Sequence, residues 1–246
     1  MLPYLHLGPL LLQTPGLALL LGFWAASWLA EKEAAKLNIK PDWINNMIFI
    51  GLFSGLLGAR LVYAFTYLDI YLSNPLSLFE LNLNTLSMPG GLVIGLLAAF
   101  IYMQRRGLKL RPVLDALAPA LAVFMVYLGL VHFFSGDAYG LPARLPWAIF
   151  LAGEYRHPTQ VYEIILGMMI VFLTLYFPSE KRGTGLNFLW VVFLSSAARL
   201  FIEAFRADSL ILPGGFRSAQ VIALFVMAAL LFLMRRWARQ PGTANE

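Results

Sequence analysis

The sequence predicts an all-α fold, a polytopic membrane protein with about seven transmembrane helices, its N-terminus outside and its C-terminus cytoplasmic. Two features predict it. Of the 246 residues 60% are hydrophobic and only 13% charged, mean hydropathy is +0.73, and the apolar residues fall in long runs rather than short alternating ones. That is the composition of a membrane protein rather than of a soluble core. The basic residues, in turn, collect in every second loop, which fixes an orientation.

A hydrocarbon layer of roughly 30 Å takes about 20 helical residues to cross. Apolar stretches of that kind, bounded by charge or by Pro and Gly, lie near 15–30, 46–67, 89–103, 113–134, 158–177, 184–204 and 217–234. The third is short and implies thin local bilayer, a few extra flanking residues or a half-buried start. Between them, "EKEAAKLNIKPD" (31–42), "QRRGLKLR" (104–111), "PSEKR" (178–182) and the tail "RRWARQ" (235–240) are basic, and the intervening loops are not. The basic segments are therefore assigned to the cytoplasm. The first positive charge, Lys32, follows the first apolar run, so that run reads as a retained span and not as a cleavable signal. One membrane domain covering 1–246 is the simplest organisation, with outer-face loops near 68–88 and 135–157.

The net charge of +5 is mostly topological, since 12 of the 18 Lys and Arg sit in those four segments. It does not argue for nucleic acid. The other six basic residues, Arg60, Arg144, Arg156, Arg199, Arg206 and Arg217, lie within spans or on the outer side, and all are Arg. Arg keeps its charge in any surroundings and grips phosphate or carboxylate with two nitrogens, so an Arg-only outer half hints at a bound anion. The chain has no cysteine, which removes disulfides, thiol nucleophiles and thiolate metal ligands.

Both long outer loops carry polar residues. In "TYLDIYLSNPLSLFELNLNTLSMPGG" (66–91), Asp69, Asn74, Glu80, Asn82 and Asn84 are mixed with Leu, Tyr and Phe, as in an amphipathic segment lying on the outer leaflet. The second, 133–160, ends in "GEYRHPTQ", with Trp147 at a predicted interface. Loops this long in a small protein are often functional, so any site is expected to face outward.

Arg60, in "GLLGARLVYAF", and Arg199, in "LSSAARLFIEAFRAD", fall within predicted spans. A charge at such depth costs a few kcal/mol and is paired or turned toward a polar cavity. Glu203 stands four residues beyond Arg199 on the same helical face, with Arg206 three further. Two readings are open: an ion pair near a span end with snorkelling Arg stems, or Arg groups that bind a lipid phosphate. Arg60 has no sequence-local acid, which favours the second. In "RHPTQVYE", Pro158 at a first helical position with Thr159 or His157 near the cap is one reading. Gln160 and Glu163 lie three apart and can share a face, whereas Tyr162 points elsewhere. His132, near the outer end of the fourth span, and His157 have no metal-ligand spacing around them, and no nucleotide loop, zinc motif or Ser elbow occurs.

Taken in order, "GARL" in the second span, "GGLVIG" opening the third, "SGDAYG" after the fourth, "RHPTQVYE" entering the fifth, "ARLFIEAFR" in the sixth and "SAQ" opening the seventh resemble the bacterial prolipoprotein diacylglyceryl transferase family along almost the whole chain. The resemblance implies a multi-pass enzyme of the bacterial inner membrane with its site facing outward. Such an enzyme moves the diacylglyceryl group of phosphatidylglycerol, or a similar anionic phospholipid, to the thiol of a lipobox cysteine in a secreted precursor, leaving glycerol phosphate and needing no cofactor or metal. It points to Arg60 and Arg199 for the charge developing on phosphate, with Glu203 orienting Arg199. Arg206, Gln160, Tyr162, Glu163, Asp137 and Gln220 complete the lipid or substrate site. A base must also take the thiol proton.

The chain departs from the family where that base is expected. The family's "HGG" before the third span is "PGG" here, with Pro89 in place of His. Its "GRLGNFINGE" reads "LGLVHFFSGD", which sets Gly129 where Arg is expected, His132 for Asn and Asp137 for Glu. Its "WYG" near the first span becomes "TPG", with Pro15 for Tyr. Two functional expectations follow: a divergent transferase in which His132 or His157 supplies the base, or a repurposed paralogue that binds anionic lipid or a membrane partner without transfer. An anion transporter is a third class, but no internally repeated pair of broken helices accompanies the intramembrane Arg residues.

Overall fold

A computed structural model describes residues 4–7, 10–79, 85–177 and 182–239. Glu80, Asn82 and Asn84 of the first outer loop, most of the 178–182 turn and residue 240 of the basic tail lie outside them. A short hairpin, β1 (Tyr4–Leu7) and β2 (Leu10–Gln13), leads into α1 (Thr14–Lys36). Next come α2 (Pro41–Thr66), α3 (Leu68–Ser73), a 3-10 turn (Pro75–Phe79) and α4 (Met88–Arg105). After α5 (Leu110–Ser135), a second hairpin, β3 (Ile149–Leu151) and β4 (Glu154–Arg156), precedes α6 (Thr159–Tyr176), α7 (Leu186–Glu203) and α8 (Ser218–Arg239).

Each predicted span falls on one of the long helices. Among the described residues six helices, α2 and α4 to α8, are long and apolar enough to cross a membrane, and the chain is a multi-pass membrane protein. The first helix is not among the six. Thr14, Pro15 and Gly16 open it, and its last turns carry Glu31, Lys32, Glu33 and Lys36, which leave fewer apolar residues than the length suggests. The chain forms two compact units, residues 38–110 and the remainder.

In the 38–110 unit, α2 and α4 meet along small residues. A Cβ on Gly95 would lie 2.7 Å from the Gly51 carbonyl oxygen, and one on Gly91 would lie 2.8 Å from the Gly55 carbonyl oxygen. Gly58 faces the Ile94 side chain just as closely. Lipid tails are as apolar as Leu, so membrane helices gain little by hiding Leu from them; backbone-close packing of small residues holds such pairs instead. The outward faces are correspondingly large and apolar, with Leu57, Phe65, Leu92 and Val93 exposed. The predicted amphipathic loop is represented by α3 and the 3-10 turn, whose Leu72 and Leu76 are also exposed.

In the larger unit, Ala118 and Ala122 of α5, Ile170 of α6 and Val191 of α7 form the buried core. Gly167 lets α6 approach Val126 of α5, where a Cβ would sit 3.0 Å from a methyl. Asp115 Oδ2 accepts the backbone N–H of Gly185 at 2.9 Å and Oδ1 that of Phe188 at 3.3 Å, so a carboxylate from α5 satisfies the start of α7, where amide groups are otherwise unpaired.

At the opposite end of these helices the 133–160 loop is tied down by backbone hydrogen bonds. Leu141 N–H donates to the Phe205 carbonyl, Ala207 N–H to that of Tyr139, Ala143 N–H to that of Tyr155 and His157 N–H to that of Leu141. The 139–143 segment thus lies between β4 and residues 205–207. Ala152 and Gly153, both at positive φ, make the two-residue turn that closes β3 on β4. Arg206 holds the next loop. Its guanidinium donates to both Asp208 oxygens, at 2.8 and 2.6 Å. Burial acts to raise the Asp208 pKa, yet the hydrogen bond and charge of Arg206 outweigh it and hold this carboxyl below its usual range.

Gly95→Leu is expected to push α2 from α4 and to cost about 1–3 kcal/mol of stability or more, read as a lower melting temperature in detergent; Leu96→Val, on the exposed side, leaves it unchanged. A carboxyl with a depressed folded pKa contributes stability that is complete above its unfolded value and disappears as pH falls through the folded one. Thermal stability of the wild type is therefore expected to decline on acidification below about pH 4 more steeply than that of Asp208→Asn, which already lacks the contribution at neutral pH.

Candidate functional site

The first turn of α6 carries four of the predicted residues, and helical spacing sends them to different places. Thr159 and Gln160 are fully buried. Pro158 precedes the helix rather than beginning it, and no side chain caps the first turn, which corrects the cap reading. The Thr159 hydroxyl instead donates to the Ala138 carbonyl at 2.5 Å and Gln160 Nε2 to the Asp137 carbonyl at 2.8 Å. These two bonds pin "SGDAYG" to α6. Asp137 thus contributes its backbone, and its side chain is exposed.

Glu163, one turn on, is the centre of the charge cluster. Its Oε2 lies 2.6 Å from His132 Nδ1 on α5. Its Oε1 lies 3.1 Å from Arg206 Nη1 and 3.8 Å from Arg199 Nη1. Arg199 Nη2 is also 3.0 Å from Oε2 of Glu203, one turn along α7, a carboxylate almost wholly buried. Arg206 is buried, which works against its charge, but Asp208, then Glu163 and Glu203, hold its pKa above the ordinary arginine value. The charges alternate in sign along Glu203, Arg199, Glu163, Arg206 and Asp208. The side chain of Arg199 is 41% exposed against 10% for Arg206, so Arg199 is the more open of the two arginines at Glu163.

His132, Glu163 and Arg199 all line one cavity of about 600 Å³ between α5, α6, α7 and α8. The rest of its wall is apolar or weakly polar, including Leu121, Phe124, Leu128, Ile170, Ile222 and Val226, with Ser195 and Ser196. Both hydroxyls are turned back to their own helix, to the carbonyls of Val191 and Val192. A long apolar chamber with a few convergent charges is the form of a lipid or small-molecule site. Gln220 closes it indirectly, tying the start of α8 to the Leu200 carbonyl at 3.3 Å.

Gly129, where the family resemblance implies Arg, lies at a close approach of α5 to α6. A Cβ there would be 2.9 Å from Ile164 Cγ1 and 3.2 Å from the Ile164 amide nitrogen. Three residues on, His132 faces Glu163.

The remaining predicted residues are elsewhere. Tyr162 does point away from Gln160 and Glu163: its hydroxyl accepts from Trp147 Nε1 at 3.0 Å and lies 3.3 Å from His157 Nδ1. His157 packs on Phe205, ring centroids 5.0 Å apart, and is not part of the cavity wall. Arg60, in the 38–110 unit, donates to the carbonyls of Leu78 at 2.9 Å and Ser77 at 2.6 Å, and to Thr85. Pro89 stands in the first turn of α4. Asp208 and Trp147 were not among the predicted site residues. The "RAD" spacing could have flagged Asp208, but nothing local in the sequence joins Trp147 to Tyr162.

The chain matches the family model of prolipoprotein diacylglyceryl transferase over residues 3–236. It is 32% identical to the phosphatidylglycerol–prolipoprotein diacylglyceryl transferase of Clostridioides difficile (strain 630), covering 85% of this chain and 84% of that protein. The enzyme of the same name from Finegoldia magna is 28% identical, covering 94% and 91%, and that from Fervidobacterium nodosum is 31% identical, covering 88% and 76%. With a family model matching nearly its full length, on a multi-pass helical fold that brings Glu163 of "RHPTQVYE" and Arg199 of "ARLFIEAFR" to the wall of one cavity, this chain belongs to the prolipoprotein diacylglyceryl transferase family.

Proposed function

We propose that this chain works as one membrane domain in the bacterial inner membrane, its site facing outward. There it transfers the diacylglyceryl group of phosphatidylglycerol to a lipobox cysteine thiol of a secreted precursor. The relatives' names supply the two substrates. The observation that carries the reading is the His132–Glu163 pair, 2.6 Å apart, on the wall of an apolar cavity that also holds Arg199.

The chemistry needs a base, a place for acyl chains and positive charge at the leaving phosphate. With Nδ1–H donated to Glu163, Nε2 of His132 is the basic nitrogen, and the carboxylate stabilises the imidazolium formed when it takes the thiol proton. The thiolate sulfur then attacks the glyceryl carbon bonded to phosphate. A C–S bond forms, the C–O bond to phosphate breaks, and glycerol phosphate leaves with the electron pair. Arg199 stabilises that charge, while Glu203 and Glu163 on either side hold its guanidinium in place before the substrate arrives. His132 is preferred to His157 because His132 lines the cavity and His157 is engaged with Tyr162 and Phe205. Arg206, Gln160 and Tyr162 act by fixing Glu163 and the surrounding loops. For Arg60, whose nitrogens meet carbonyls of its own unit, we propose a role in holding Ser77, Leu78 and Thr85 against α2.

A second reading, a lipid-binding paralogue without transferase activity, is favoured by Gly129, which stands where the family resemblance implies Arg and where an added Cβ already presses on Ile164.

The test is a lipobox peptide incubated with the purified protein in phosphatidylglycerol vesicles. Wild type is expected to form the thioether. His132→Gln lowers kcat by about 10²–10⁴-fold, Arg199→Ala by about 10²–10³-fold, and His157→Gln only a few-fold. Unimpaired turnover by His132→Gln overturns the assignment of the base. Saturable phosphatidylglycerol binding that depends on Arg199, with no product from wild type, selects the second reading.

A further inference from the structure

We propose that two apolar turns flanking the charge cluster, the β3–β4 tip and the 210–217 turn, insert into the membrane–water boundary at that end of the helices. They would fix the level at which the cluster sits. The inference is independent of whether transfer takes place.

The residues concerned are outside every membrane-crossing helix and yet apolar or aromatic. Trp147, Phe150, Tyr155, Leu210, Ile211 and Phe216 are each at least 59% exposed. Phe150 and Tyr155 pair edge to face across the hairpin, centroids 5.4 Å apart, so the tip presents one continuous aromatic surface. The second turn is closed by a hydrogen bond from Leu212 N–H to the Phe216 carbonyl at 2.8 Å. Two separate segments thus show the same pattern, an ordered turn with large apolar side chains outward.

Their height relative to the helices is set by hydrogen bonds. Trp147 Nε1 donates to the hydroxyl of Tyr162, in the first turn of α6. Ser218 N–H, at the start of α8, donates to the Leu210 carbonyl at 2.9 Å. Tyr155 is four residues from Thr159, so the backbone between them reaches at most about 14 Å. Both turns therefore stand where α6 and α8 begin, at the level where a membrane-crossing helix leaves hydrocarbon. Trp, Tyr and Phe with an apolar body and a wet edge partition to that level, and a surface segment buries its apolar face about 5–10 Å into the headgroup region. The occupant of these surfaces is thus the lipid boundary itself. Through the Trp147–Tyr162 bond the inserted hairpin would hold the start of α6, and with it Glu163, at headgroup depth.

The native chain has no cysteine, so a single introduced one carries a label without background. Full-length Phe150→Cys, Ile211→Cys and, as a control in the polar last turn of α1, Lys36→Cys are nitroxide-labelled in phosphatidylcholine–phosphatidylglycerol vesicles. Collisions with oxygen and with a water-soluble nickel chelate are then measured. At positions 150 and 211 the ratio of oxygen to nickel collisions is expected to exceed that at 36 several-fold. Tyr155→Cys gives the same ordering should Phe150→Cys fold poorly. Nickel accessibility at 150 and 211 equal to that at 36 overturns the proposal. So does protection that arises only when an apolar lipobox peptide is added, which would make the peptide the occupant.

Discussion

Glu163 accepts from a histidine on α5 and meets two arginines, one on α7 and one just beyond it, all at the edge of an apolar chamber. A charged group in such surroundings needs partners, because burying it unpaired is costly. The partners come from different helices, so satisfying one charge also fixes how α5, α6 and α7 are arranged at that end. The alternation extends on both sides, to Glu203 beyond Arg199 and Asp208 beyond Arg206. Neither arginine depends on a ligand to be tolerated, and the site is formed before anything binds.

This arrangement needs a scaffold that does not drift, and lipid supplies no hydrophobic drive to hold helices together. The chain answers with small residues and with polar contacts at helix ends. Gly51, Gly55, Gly91 and Gly95 bring α2 and α4 to backbone distance. Alanines and Gly167 do similar work around α5 and α6. Asp115, far along α5 from His132, reaches the first turn of α7, so α5 and α7 are joined at one end by a cap and at the other through Glu163.

Apolar runs placed every long helix, because a span is a local property of composition. Helical periodicity was also enough to separate Tyr162 from Gln160 and Glu163 and to put Glu203 beneath Arg199. What the sequence could not reveal was pairing through the backbone. The strip formed by 139–143, β4 and 205–207 rests on N–H and carbonyl groups that every residue possesses. For that reason neither the bond from Gln160 to the Asp137 carbonyl nor the hairpin within 133–160 could be read from the side chains. The choice between His132 and His157 was equally hidden, since it depends on which helix stands opposite. Arg60 looked unsatisfied because its partners are carbonyls 17 to 25 residues away.

Gly129 has an evolutionary consequence. Where α5 rests against Ile164 of α6, the helices stand so close that a first side-chain carbon would press on the Ile164 side chain and amide nitrogen. A larger residue there would require the Ile164 side chain, or its helix, to give way. Positions 129 and 164 are thereby expected to vary together among related sequences rather than one at a time.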